Sequence, residues 1–319
     1  MIDNGISACF AAWKAGLLVL VMVGGTALAD CPDVDPQAVA WLDKMTESGQ
    51  QLSYRGVVTL QRSGELQAVE MTRQVGPEGV SDRLVQLTGQ GAVVERANQP
   101  LDCVQTGCQL RRLQRDLAAG QCGISEYYRL SMMGTERVAG RKAVRVRLEP
   151  RDMFRFGYVM VVDEATGLLL KTETTSGARV LEKFQFASIE IGEEFLSGAA
   201  EERPAPVVVR AGEDIDGRVR GAPTDSEWQP EWVPPGFVAT ENGLGVSGRK
   251  TYTDGLSVFS VFLEEGRELR AGQGLVRYGC TTSYSLGAEL GGQPVLVTVI
   301  GEVPPNTARM VAASVNWVK

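Results

Sequence analysis

The sequence contains no histidine among its 319 residues. This absence excludes Ser-His-Asp and Cys-His catalysis, histidine-ligated zinc and haem, and any pH switch built on an imidazole. The sequence also lacks the Gly-x-Ser-x-Gly elbow of many hydrolases and a glycine-rich phosphate loop. These absences exclude the commonest hydrolytic machineries but not every enzyme. We predict no catalytic residues, no cofactor and no metal site.

Basic residues are also too few for a typical nucleic-acid-binding protein. The chain has 32 Lys and Arg residues against 39 Asp and Glu residues, which gives a formal net charge of −7. Proteins that bind nucleic acids usually present a broad cationic surface that neutralises phosphates. We therefore expect no nucleic-acid partner.

Long apolar runs are confined to the N-terminus. Lys14 precedes an uncharged stretch at residues 15–29, which ends in the small-x-small sequence Ala27-Leu28-Ala29. This pattern is typical of a secretory signal peptide, and the stretch is shorter than the roughly 20 apolar residues that span a bilayer. We predict a signal peptide over residues 1–29 that is cleaved on export. The length of the remaining soluble chain favours two domains.

Export places the cysteines in an oxidising compartment. Five of them follow residue 29, and an odd number leaves at least one thiol free or paired with another molecule. Cys103, Cys108 and Cys122 are disulfide candidates because they crowd into one short segment. Their spacing does not fit a structural zinc site, which needs a fourth ligand. The sequence leaves the pairing open.

One helix opens the mature chain, and strands follow it. Asp35 is the predicted N-cap, Pro36 occupies the first turn, and Gly49 is the predicted end of this helix. Beyond Gly49 the apolar residues recur with a period of two. Turn residues such as Gly140 separate these runs, which predicts an antiparallel meander over residues 128–191.

A change of composition divides the chain. Residues 196–227 are rich in glycine, proline and charge, which indicates a linker. A second unit follows, with a closing helix whose apolar face is predicted to include Val315. Its predicted strands are 256–263, 275–285 and 295–300. We thus expect an α+β protein, mostly antiparallel β, with domains at residues 30–195 and 228–319.

An aromatic series stands out in the first domain. Phe154, Phe156, Tyr158 and Met160 alternate with other residues in one predicted strand. Under a helix that covers one face of an antiparallel sheet, such a series forms the core. Alternatively, a strongly curved sheet leaves part of that face as a pocket for acyl chains. These four residues are therefore candidates for lipid binding.

Several motifs occur in the same order as in a known family. In the first domain they are Pro150-Arg151-Asp152-Met153-Phe154-Arg155-Phe156-Gly157-Tyr158, Asp163-Glu164-Ala165-Thr166-Gly167-Leu168 and Leu181-Glu182-Lys183-Phe184-Gln185-Phe186. In the second they are Trp232-Val233-Pro234-Pro235-Gly236-Phe237, Tyr252-Thr253-Asp254-Gly255-Leu256 and Gly301-Glu302-Val303-Pro304-Pro305. With these motifs the chain resembles the RseB/MucB family of periplasmic regulators of the sigma-E envelope-stress response.

The resemblance implies a fold and a function, and it implies that the protein is not an enzyme. The first domain would be similar to the LolA/LolB lipoprotein carriers, an unclosed β-barrel with helices on its concave face, and the second a smaller β-sheet domain with a helix. Family members bind the periplasmic domain of a membrane-spanning anti-sigma factor and protect it from the site-1 protease. They release it on sensing lipopolysaccharide or a related lipid, and homo-oligomers are typical of them.

The resemblance also directs attention to the second domain, because that domain contributes much of the anti-sigma contact in the family. Tyr252, Leu256 and Phe259 are the candidate partner-binding residues there. Cys280 departs from the family pattern, which usually has a small residue at this place. The alternative function is a periplasmic lipid or lipoprotein carrier, for which the second domain would be superfluous.

Overall fold

A computed structural model describes residues 34–77, 79–88, 93–97, 123–192, 208–210, 228–240, 248–265 and 273–318. The predicted signal peptide and the disulfide candidates Cys103, Cys108 and Cys122 lie outside these residues. No helix within the described ranges is long and apolar enough to cross a membrane.

The first helix, α1 (Pro36–Gln51), begins where the sequence predicts. The Asp35 side chain accepts hydrogen bonds from the backbone N–H groups of Gln37 and Ala38, which satisfies two otherwise unpaired donors. The helix ends two residues beyond the predicted Gly49. The N–H of Leu52 still bonds to the carbonyl oxygen of Ser48, so the glycine does not interrupt the helical ladder.

Ten strands form one large curved, unclosed sheet. They are β1 (Tyr54–Arg62), β2 (Glu65–Gly76), β3 (Gly79–Gln86), β4 (Val93–Ala97), β5 (Tyr128–Val138), β6 (Arg141–Pro150), β7 (Gly157–Asp163), β8 (Leu169–Ser176), β9 (Arg179–Ile191) and β10 (Val208–Arg210). Their order is β10-β4-β3-β2-β1-β9-β8-β7-β6-β5, and every pair is antiparallel except β10 with β4. We call this sheet together with α1 the N-terminal domain.

The predicted meander over residues 128–191 is confirmed as β5 to β9, each strand paired with the next along the chain. The aromatic series is not one continuous strand, however. The strand β7 starts only at Gly157, because residues 151–156 bend away from the sheet. Phe154 and Phe156 therefore lie outside the strand that carries Tyr158 and Met160.

The C-terminal domain contains the remaining strands and a second α-helix. Its strands are β11 (Trp228–Pro230), β12 (Val238–Ala239), β13 (Arg249–Thr253), β14 (Val258–Glu265), β15 (Gly274–Tyr278), β16 (Thr281–Leu290), β17 (Gln293–Gly301) and β18 (Val315–Trp317). Six of them form a sheet of order β12-β13-β14-β17-β16-β15, and β11 pairs with β18. The helix α2 (Pro305–Ala313) packs on β16 and β17.

Two details of the C-terminal domain differ from prediction. The predicted strand 275–285 is divided, because Gly279 takes a positive φ of 63° and turns the chain between β15 and β16. Val315 is not helical but begins β18, since α2 ends at Ala313. The expected mostly antiparallel fold, with a smaller sheet and a helix at the C-terminus, is confirmed.

The helix α1 covers one face of the large sheet, which we call the inner face. Its buried residues Ala38, Leu42 and Met45 pack on apolar side chains of β5, β6 and β7. These side chains are Leu130, Val144, Val146, Leu148, Tyr158, Met160 and Val162. Cross-strand register places them on the same face, since Leu148 pairs with Tyr158 and Val146 pairs with Met160.

Candidate functional site: the junction between the domains

The motif segments of the two domains meet in space. Residues 150–158 and 181–186 of the N-terminal domain contact residues 232–237, 252–256 and 301–305 of the C-terminal domain or their immediate neighbours. Residues about 100 positions apart in sequence thus build one interface. We call this interface the junction.

A buried ion pair lies at the centre of the junction. Nη1 of Arg155 donates to Oδ2 of Asp254 at 2.8 Å, and both side chains are fully shielded from solvent. The hydroxyl of Tyr128 donates to the same oxygen at 3.0 Å. Burial raises the pKa of the Asp254 carboxyl, while Arg155 and the hydrogen-bond donors oppose that rise.

Arg155 is saturated by partners from both domains. It also pairs with Asp152 at 3.0 Å, and its Nη2 donates to the carbonyl oxygen of Pro235 at 2.5 Å. Its guanidinium lies over the rings of Tyr127 and Phe237 at 4.7 and 5.3 Å from their centroids. Several hydrogen bonds from one planar group, together with stacking on aromatic rings, require arginine rather than lysine.

Asp254 also shapes the turn that carries it. Its Oδ1 accepts hydrogen bonds from the N–H groups of Leu256 and Ser257 at 2.9 and 2.8 Å. Thr253 closes the turn, since its hydroxyl donates to the carbonyl oxygen of Ser257 and accepts from the N–H of Gly255. The glycine is needed because its φ is +100°. The tip of the β13–β14 hairpin is therefore a preformed turn.

The turn between β15 and β16 makes a second contact with the N-terminal domain. The N–H of Gly279 donates to Oγ of Ser63 at 2.8 Å, and the thiol of Cys280 donates to Oε2 of Glu182 at 3.2 Å. Glu182 is held by Arg62 through two hydrogen bonds of 2.6 and 2.8 Å. A Cβ at Gly279 would lie 2.5 Å from Arg62 Cγ, so only glycine permits this approach.

Cys280 is buried between the domains. It packs with Phe156 and Leu181, and burial raises the pKa of its thiol, with Glu302 and Glu182 adding to that rise. The residue thus behaves as the small buried apolar side chain that the family pattern suggests at this place. It is a free thiol.

A third contact involves α2. The hydroxyl of Thr307 donates to the carbonyl oxygen of Phe154 at 2.8 Å, and Nδ2 of Asn306 donates to that of Met153 at 3.3 Å. The ring of Phe154 packs edge-on against Trp232 at 5.2 Å between centroids. The segment that bends away from β7 thereby becomes part of the junction.

The four lipid-binding candidates occupy two different environments. Tyr158 and Met160 lie on the inner face under α1, and the Tyr158 hydroxyl bonds to that of Ser257 at 2.9 Å. Phe156 packs against Cys280, and Phe154 against Trp232. Phe156, Tyr158 and Met160 are buried in this arrangement. Lipid contact by these four residues stays a prediction, and it requires movement at the junction.

The three partner-binding candidates are also buried. Tyr252 and Phe259 stack at 5.3 Å between ring centroids in the core of the C-terminal domain. Leu256 leaves that core and inserts into the apolar cluster under α1. None of the three presents a surface while the domains are joined, so a direct partner contact through them stays a prediction.

Sequence reasoning missed a set of partly exposed apolar residues on the inner face. Thr172 of β8 pairs with Met160 and with Phe184, and Phe184 pairs with Leu60, which extends the inner face across β9 and β1. The set comprises Leu60, Val69, Leu84 and Phe184. The alternation of apolar residues along β1 and β9 predicts that each strand has an apolar face. It does not predict that these two strands pair with each other and share one face.

Glu302 adds a titratable group to the junction. Burial and the nearby Glu182 raise the pKa of its carboxyl to about 7, and Arg62 opposes that rise. The unfolded chain releases this proton near pH 4.5, whereas the folded chain holds it up to about pH 7. The unfolded state thus binds fewer protons between these values, and stability falls as pH rises through this window.

We expect Glu302→Gln to abolish that fall. In urea denaturation from pH 4 to 8, the wild type should lose about 3 kcal/mol relative to the variant, and the difference should level off above pH 7. Glu149→Gln, at an exposed carboxylate, is the control and should keep the slope. Parallel profiles for wild type and Glu302→Gln would contradict the assignment.

Two family models match successive parts of the chain. The family model described as the MucB/RseB N-terminal domain matches residues 37–208, and the MucB/RseB C-terminal domain model matches residues 222–316. The sigma factor AlgU regulatory protein MucB of Pseudomonas aeruginosa is 34% identical over 93% of this chain and 94% of its own length. The sigma-E factor regulatory protein RseB of Salmonella typhimurium is 27% identical over 89% and 92%.

Solved structures agree with these relatives. A chain of the complex structure of Pseudomonas aeruginosa MucA/MucB superposes with a TM-score of 0.67 at 29% identity, covering 89% of this chain and 99% of that one. A crystal structure of MucB in complex with MucA(peri) gives a TM-score of 0.65 at 28% identity, covering 88% and 99%. Both family models match in chain order and together cover most of the sequence. The chain therefore belongs to the MucB/RseB family.

Proposed function

We propose that this chain is a periplasmic regulator of an envelope-stress sigma factor, which acts by binding the periplasmic domain of a membrane-spanning anti-sigma factor. The observation that carries the proposal is the match of both domains, in order, to relatives named sigma factor regulatory proteins. A relative solved together with MucA(peri) supports the kind of partner. Binding shields the anti-sigma factor from the site-1 protease, and no chemistry is required of the regulator.

Release of the partner is the second part of the proposal. Lipopolysaccharide or another acyl lipid binds the inner face of the N-terminal domain, where Leu60, Val69, Leu84 and Phe184 remain partly exposed. Such a ligand releases the partner only if it binds better to the partner-free state. The junction connects the lipid-facing domain with the C-terminal domain, and it is therefore the element through which the two events are coupled.

Titration of mature residues 30–319 against the anti-sigma factor's periplasmic domain tests the first part. We expect a dissociation constant in the micromolar range or tighter by calorimetry, because specific regulatory contacts bury enough surface for such affinity. Truncation to residues 30–227 should abolish the heat of binding. Equal binding by the truncated chain would place the contact in the N-terminal domain and contradict the proposed role of the second.

The same titration with lipopolysaccharide tests the second part. Lipopolysaccharide should weaken partner binding about tenfold, a coupling within the usual range for two linked sites. Its deacylated form is the matched control and should have no effect. A carrier of lipid or lipoprotein is the alternative function, favoured by the partly exposed inner face. It predicts lipid binding without any affinity for the anti-sigma domain.

A further inference from the structure

The inner-face core of the N-terminal domain contains a side chain from the other domain. Leu256 is 2% exposed and packs among the apolar residues that lie under α1. The C-terminal domain has its own core, built from residues such as Val261 and Val297, and Leu256 is not part of it. A leucine at a hairpin tip that projects from its own domain would normally be exposed to solvent. Its burial here depends on its insertion into the other domain.

The neighbours of Leu256 describe the kind of space it fills. The cluster around it consists of aliphatic and aromatic side chains, including Leu42 of α1 and Leu148 and Met160 of the sheet. Buried hydrogen bonds border this space, where Tyr128 and Tyr158 bond to Asp254 and Ser257. A mostly apolar space with a few fixed polar groups beside it suits an acyl chain.

The sheet face that α1 covers continues across β8, β9 and β1. Met160 pairs with Thr172, which pairs with Phe184, and Phe184 pairs with Leu60. An acyl chain bound along the partly exposed residues of β1 and β9 would extend toward the place that Leu256 holds.

We infer that Leu256 occupies an acyl-binding site of the N-terminal domain, so that the β13–β14 hairpin tip and an acyl chain compete for the space under α1. The inference rests on the proposed response to lipid and specifies how it works. Acyl binding is tighter when the domains are apart, and docking of the domains is weaker when the acyl chain is bound. The two effects are equal in size by linkage.

This competition accounts for the burial of the predicted lipid-binding residues. Tyr158 and Met160 lie under α1 together with Leu256, and Phe154 and Phe156 are covered by the C-terminal domain. Separation of the domains uncovers Phe154, Phe156 and Tyr158 at once. It also exposes Leu256, which then becomes available to other contacts.

Leu256→Ala is the direct test, with palmitate as the probe and the full mature chain as the protein. The substitution removes most of the apolar contact that holds the hairpin tip in place, so palmitate should bind about tenfold more tightly. Leu263→Ala is the matched control, because Leu263 is equally buried but belongs to the core of the C-terminal domain. It should leave palmitate affinity unchanged.

Thr307→Val is a second test, which applies if Leu256→Ala fails to fold. It weakens the docking of the C-terminal domain on the N-terminal domain at a site away from the acyl space. It removes the hydrogen bond to the carbonyl oxygen of Phe154 and keeps the side-chain volume. Competition predicts about threefold tighter palmitate binding. Small-angle scattering should show that palmitate increases the radius of gyration of the wild type.

The outcomes separate the inference from the proposed function. Palmitate binding that is equal for wild type, Leu256→Ala and Thr307→Val would overturn the competition and leave lipid binding intact. Absence of palmitate binding in every variant would overturn both the competition and the response to acyl lipid. The titration with the anti-sigma domain would still decide the regulatory role.

Discussion

Asp254→Ala is expected to destabilise the protein by about 3–5 kcal/mol, because the buried Arg155 guanidinium loses its fully buried carboxylate partner and keeps only Asp152. The two charged groups are 2.8 Å apart and fully shielded from solvent. Water therefore cannot replace the lost partner unless the junction opens. The turn is weakened as well, since the N–H groups of Leu256 and Ser257 lose their acceptor. Urea denaturation at pH 7 measures the loss.

A double substitution separates the pair from the rest of the junction. Arg155→Met together with Asp254→Ala removes both charges, and it should cost clearly less than the sum of the two single changes. The pair of Arg129 and Glu149 is the matched control. Its Nη1 and Oε2 atoms are 3.6 Å apart, and both side chains are 55% exposed. Glu149→Ala should cost less than about 1 kcal/mol. Similar losses at the two sites would mean that the junction is open in solution.

Local signals explain what could be predicted of the fold. Asp35 and Pro36 mark the start of α1 because capping and a fixed φ act within one turn of helix. The strands from β5 to β9 follow from alternation and turn residues, which also act over short distances. The bend at residues 151–156 escaped prediction because one of the contacts made there, the ion pair of Arg155 with Asp254, joins residues 99 positions apart.

The candidate site was harder to predict for the same reason. Alternation shows that one face of a strand is apolar, but it does not show what covers that face. Tyr252 and Phe259 cover each other within one domain, whereas Leu256, from the same hairpin, crosses to the other. The motifs that carry the resemblance to the family lie at the junction, but their proximity in space could not be predicted from their order in the sequence.

Phe259→Ala is expected to cost about 3–5 kcal/mol of folding stability, the usual range for removing a phenyl ring from a core. The ring is completely buried and packs between Tyr252 and Phe237 at 5.3 and 5.1 Å between centroids. Because Tyr252 is fixed in β13 and Phe237 lies directly before β12, the core cannot collapse fully into the space. The melting temperature of the mature chain measures the loss.

The same variant decides between a core role and a partner contact for Phe259. If the residue belongs to the core, Phe259→Ala should bind the anti-sigma domain normally at a temperature where the variant is still folded. If it contacts the partner, binding should weaken while the melting temperature stays near that of the wild type. Val276→Ala, at a side chain that is 68% exposed, is the control for stability and should change it by less than about 0.5 kcal/mol. Since Phe259 lies within the C-terminal core and Leu256 on the hairpin tip, comparison with Leu256→Ala distinguishes damage to the domain from release of the junction.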